Sequence, residues 1–212
     1  MSGILDLLNS DLGKQIVSGV AGATGNDSNK TSSVLTMALP LLMKAMEKNA
    51  ATPEGAAGLM GVLSGKHDGS ILDNLGGLFG GGVDESVKQD GAGILGHILG
   101  SKQTGVEQVI GQKSGLDASA VSNILKVAAP LVMGYLGKQK NEQNVSSSGD
   151  ITGLLGGLLS SNSASADQSF LEKMLDSDGD GSVVDDVAGM LLGGDKKESG
   201  GLGGMIGGLF GK

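Results

Sequence analysis

Cysteine and tryptophan are absent from the 212 residues, and only one Tyr, three Phe and three Pro are present. Without cysteine there is no disulfide, no thiolate-bound zinc and no thiol nucleophile. With so few aromatics, any core must be aliphatic, built from Leu, Ile, Val, Met and Ala. Basic residues are also scarce: 15 Lys and Arg stand against 23 Asp and Glu, a net charge of −8. Nucleic acid binding needs a concentrated cationic footprint that releases counterions, and the scattered lysines provide none. The same balance disfavours an anionic membrane surface.

Long hydrophobic runs are missing too. The longest apolar stretch, Val34 to Met43, includes Thr36 and Pro40 and is about half the ~20 residues a membrane-spanning helix needs. The opening MSGILDLLNSDLGK has no basic region and too short an apolar run for a signal peptide, so a cytoplasmic protein is the expectation. Strand signals fail as well, because β-branched and aromatic residues never alternate over a useful length. An all-α fold is expected.

What is abundant is glycine, 40 residues, and what organises the chain is a repeat at an offset of ninety. The stretch GNDSNKTSSVLTMALPLLMKAMEK from Gly25 returns as GLDASAVSNILKVAAPLVMGYLGK from Gly115, with nine identities and no gap, and GIL at Gly3 to Leu5 returns at Gly93 to Leu95. Residues 6–24 and 96–114, which lie between these ends, share no identity. The pattern reads as an old tandem duplication. In the second copy, Thr104 and Glu107 have capping-box spacing, Gly115 stands where a helix would stop, and Asp117 suits an N-cap with Leu116 and Val121 as a hydrophobic staple. Val121, Ile124, Leu125, Ala128, Val132, Tyr135 and Leu136 follow the helical period, with Val127, Leu131 and Met133 widening the face. A helix apolar on most sides is central and buried. Pro130 and its counterpart Pro40 fall mid-helix and imply a kink or a break into two helices.

A second, shorter pattern is rich in both leucine and glycine: ILDNLGGLF from Ile71, ITGLLGGLL from Ile151 and LGGMIGGLF from Leu202. Each interior glycine costs a helix about 1 kcal/mol relative to alanine, so such segments need docking to be ordered. Low-complexity stretches at Gly80 to Gly82, Asn141 to Gly149 and Ser160 to Ser169 suggest linkers. The expected organisation is a first helical unit at 1–85, a second at 86–145, a Ser/Gly-rich linker at 146–169, a helix-loop-helix at 170–195 and a Gly-rich tail at 196–212.

One motif carries chemistry. In LDSDGDGSVVDDV, Asp176, Asp178 and Asp180 hold positions 1, 3 and 5 of an EF-hand-type loop, with Gly181 at 6, Ser182 at 7 and Val183 at 8. Position 12 is Val187, which cannot coordinate, so Asp186, or Asp185, would close a shortened site. Calcium binding through Asp176, Asp178, Asp180, Ser182 and Asp186 is expected. The competing reading is an acidic turn in which Asp185 or Asp186 caps the next helix. GAGILG at Gly91 to Gly96 matches a dinucleotide fingerprint by letters, but lacks the strand and βαβ context. His67, beside Asp68 in GKHDG, reads as an exposed turn, and His97 as lying among apolar neighbours on a short helix. No GxSxG is present.

The two Gly-x-Asp…Pro-Leu…Met helices, GILGHILG and the terminal DGDGSVVDDVAGMLLGG together resemble the bacterial YidB-like family known as domain of unknown function 937, over roughly residues 3 to 195. The resemblance implies a bacterial source and a helical fold, with no recognised catalytic motif. A non-enzymatic protein follows as the expectation: calcium-binding, and self-associating or binding a protein partner through its apolar, glycine-flanked helices. The alternative is an exported or membrane-surface protein, which the scarcity of cations in the tail argues against.

Overall fold

A computed structural model of the chain describes residues 4–160. Its helices are α1 (Ile4–Asn9), α2 (Asp11–Thr24), α3 (Ser28–Ala50), α4 (Pro53–Ser64), α5 (Leu75–Gly80), α6 (Glu85–Leu99), α7 (Gln103–Ser114), α8 (Ala118–Glu142) and α9 (Ser148–Ser160). Single 3-10 turns at Ser70–Asn74 and Gly100–Lys102 lead into α5 and α7, and no strand occurs among the described residues.

The two long helices begin ninety residues apart and start in the same way. Asp27 accepts hydrogen bonds from the Asn29 and Lys30 amides at the head of α3, and Asp117 accepts one from the Ala120 amide at 2.7 Å at the head of α8. The preceding helices also end alike. Gly25 (φ 68°) and Gly115 (φ 67°) take the left-handed conformation, and the next residue's amide closes back five residues, Asn26 to the Ala21 carbonyl and Leu116 to the Gly111 carbonyl, each at 3.0 Å. Both central helices run unbroken through Pro40 and Pro130, so neither proline divides its helix in two.

The ninety-residue offset extends into the stretch without identities. Ile16, Val20 and Ala21 on α2 are buried, and so are Val106, Ile110 and Gly111 at the matching places on α7. Side chains there kept a face inward while their identities drifted. The two copies do not form separate cores: α2 and α7 each pack against both α3 and α8, which also touch each other, and the buried aliphatic side chains make one continuous cluster. Lys30 Nζ, on α3, donates to the Gly115 carbonyl at 3.0 Å and fastens one copy to the other. By length and composition α8 could cross a membrane, but 72% of its apolar window is buried inside this fold.

Two sequence expectations are corrected. Thr104 and Glu107 form no capping box, because the turn Gly100–Lys102 runs straight into α7 and leaves no extended residue at 104. Glu107 turns inward instead and accepts from Gln103 Nε2 at 2.7 Å. The proposed linkers at 141–149 and 146–169 contain the end of α8 and the whole of α9. A capping box starts α9, with the Asp150 amide donating to Ser147 Oγ at 3.2 Å and the Ser147 amide to Asp150 Oδ2 at 3.0 Å. Ile151, Leu154, Leu155 and Leu158 are then buried against α3 and α4. At roughly 1.5 to 3 kcal/mol for each buried aliphatic side chain, this docking outweighs about 1 kcal/mol for each glycine in the helix.

Candidate functional site

The residues expected to bind calcium, Asp176, Asp178, Asp180, Ser182 and Asp186, lie outside the described residues, as do Asp185 and the segment LGGMIGGLF. Among the described residues, no group of three or more His, Asp or Glu side chains is placed to hold a metal ion. Two features of the described body have functional content: the places where leucine- and glycine-rich segments dock, and a polar cluster around His67.

The first docked segment fits over glycines of its host helices, and the second is seated through its leucines. ILDNLGGLF becomes the 3-10 turn and α5. Asn74 caps α5 by accepting from the Gly77 amide at 3.1 Å. Leu72 and Leu75 are buried, and the Phe79 ring lies where a Cβ on Gly19 of α2 would be. Ile71 lies over Gly134 of α8 in the same way. The second segment, ITGLLGGLL, forms α9, with Gly156 beside Glu47 of α3. The GAGILG stretch lies within α6, where Gly91 lets the helix pass directly over the Lys126 carbonyl of α8. Its glycine therefore serves helix packing, with no phosphate cradle involved.

The polar cluster is built by residues 66–70, a strap crossing the C-terminal half of α8. His67 is only 4% exposed, which corrects the expectation of an exposed turn. Its burial follows from Gly137, over whose backbone the His67 carbonyl sits with no room for a Cβ. Asp90 of α6 reaches two partners: Lys66 Nζ at 2.6 Å and His67 Nε2 at 3.4 Å. Asn141 Nδ2 donates to the Asp68 carbonyl at 3.0 Å, and Asp68 Oδ1 accepts from the Ser70 amide, turning the strap down into the 3-10 helix at Ser70–Asn74. Burial holds the His67 imidazole below its ordinary pKa. Asp90 pulls the other way, Lys66 reinforces the lowering and Asp68 weakly opposes it. The hydrogen bond from the Ser70 amide holds the Asp68 carboxyl below its usual range. Burial raises the Tyr135 phenol, with Glu142 and Asp6 contributing. His97, by contrast, is exposed on α6, a 15-residue helix.

Sequence reasoning had no means of pairing His67 with Asp90, since an acidic residue 23 positions away in KQDGAG carries no periodic signal. A usable sign was present on α8: Gly134 and Gly137 fall on a helix apolar all round, where glycine marks a close approach by another backbone.

The fold and its clusters define an internally repeated, all-helical module with a mixed population of docked short helices. The chain belongs to the family described as bacterial protein of unknown function (DUF937), whose model matches residues 6–139. The match ends before α9 and the Asp-rich motif, so the shared part is the repeated helical core and the DGDGSVVDD element falls outside it. No similar curated protein and no similar solved structure was found.

Proposed function

We propose that this protein works without catalysis, as a helical interaction module that seats short leucine- and glycine-rich helices, and that its own segment 202–210 is such a helix, joining it to a second copy. The observation that carries this reading is α9. LGGMIGGLF aligns with ITGLLGGLL so that Leu202, Met205, Ile206 and Leu209 match Ile151, Leu154, Leu155 and Leu158, and the paired glycines coincide. Those four positions of α9 are the buried ones. A segment with this pattern has little helical stability of its own and gains order by burying its stripe. A calcium ion held by Asp176, Asp178, Asp180, Ser182 and Asp186 would neutralise a crowded acidic run and set the geometry of the approach to the tail.

Size-exclusion chromatography with light scattering tests the association, comparing the full chain with one lacking 196–212. A full chain that is larger than a monomer and a truncated chain that is monomeric supports the proposal; the same number of chains per particle for both sinks it. Calorimetric titration of the full chain and of Asp178→Ala tests the metal, and no heat from the wild type at millimolar calcium would remove that part.

A further inference from the structure

We propose that the strap at residues 66–72 is an acid-released latch over the C-terminal half of α8, with His67 as its sensor and Asp90 as its anchor. Three independent contacts place the strap. The His67 carbonyl sits on Gly137, Ile71 sits on Gly134, and Asn141 binds the Asp68 carbonyl. Gly69, at φ 111°, makes the bend beside Lys138 in a conformation other residues rarely take. The strap thus covers a part of α8 whose own side chains leave a shallow surface, and it does so with a titratable ring buried beneath it.

The charged groups acting on that ring are Asp90 from α6 and Lys66 and Asp68 from the strap, while Lys138 of α8 lies alongside Gly69. Asp90 is shared, since Lys66 holds its other oxygen at 2.6 Å. A second cation on His67 therefore meets a carboxylate already paired, with its own ring buried. The sign follows. His67 is held below its ordinary pKa of 6.5 in the closed strap, whereas a released strap returns it to water and to that value. The closed state keeps its full advantage above about 6.5 and loses it progressively as pH falls toward the closed-state pKa, because the open form then binds the extra proton. Opening bares Gly134, Gly137, Ile71 and Leu72 near the end of α8 that leads into α9.

Histidine resonances and hydrogen exchange on the full chain test the latch. His67 is expected to titrate below its ordinary value of 6.5. Amide protection over 66–74, normalised to unstructured-peptide rates, is expected to fall several-fold between about pH 7.5 and about pH 5.5, while amides of α2 change little. In His67→Phe the acid-dependent loss disappears; in Asp90→Asn it begins at the same pH and goes further, because the closed strap no longer offers the imidazolium a carboxylate. His67→Gln replaces His67→Phe if the latter does not fold. The proposal is overturned if His67 titrates at or above its ordinary value of 6.5, or if the acid-dependent loss persists without an imidazole at 67.

Discussion

The two central helices, α3 and α8, descend from one pattern and are covered differently. Buried residues coincide along both: Val34 with Ile124, Leu35 with Leu125, Ala38 with Ala128, Leu41 with Leu131, Met43 with Met133 and Met46 with Leu136. They part most clearly at two places on the outer face. Lys44 and Glu47 on α3 form an ion pair at 2.7 Å on the surface, and the matching residues on α8 are Gly134 and Gly137, both buried. Where side chains stand up from α3, the chain that covers it is a helix, α9, seated through its own leucines. Where α8 has glycine, the covering chain is backbone, the His67 strap. A repeat can thus keep an inner face and change its outer face by trading two long side chains for none.

The comparison can be broken most sharply at the glycines. Gly91→Val, which drives a branched side chain into the Lys126 carbonyl, should cost the most, about 3 kcal/mol or more in urea unfolding. Gly137→Ala displaces the His67 carbonyl and should cost about 1 to 3 kcal/mol. Glu47→Ala at the matching position of α3 should change stability by no more than about 0.5 kcal/mol. Equal effects at 47 and 137 would show that the two helices are covered alike. Leu155→Ala removes a fully buried side chain from α9 and should cost about 2 to 4 kcal/mol, with α9 amides losing protection before those of α8.

Smaller effects sharpen the alignment of the copies. Thr31 is fully buried and its hydroxyl finds no partner among the described residues, while the second copy has Val121 in its place. Thr31→Val should stabilise by about 1 kcal/mol, because it removes a polar group that was buried unpaired. A further small change is at the caps. Asp117→Ala should lower the unfolding midpoint at neutral pH. The hydrogen bond from the Ala120 amide holds the Asp117 carboxyl below its usual range, so its contribution is present above that range and lost as pH falls through the lowered value. The difference between wild type and variant should therefore vanish in acid.

Much of this fold was legible because its signals are local. Asp27 and Asp117 as caps, Gly25 and Gly115 as stops, and the aliphatic period of α8 all act over one or two turns, and each was readable in a single sequence. The capping box at Thr104 was misread because the turn that precedes it changed the backbone on which such a box depends. His67 was misread because its burial is decided by Gly137, seventy residues away.

The sequence by itself determined that the chain is helical, aliphatic and repeated, since hydrophobic period, capping chemistry and the lack of strand formers are properties of neighbouring residues. Only the tertiary structure decided that the two copies share one core, that ITGLLGGLL is a docked helix, and that His67, Lys66 and Asp90 meet. Those outcomes rest on which backbone can approach which, and glycine permits an approach without naming the partner that makes it.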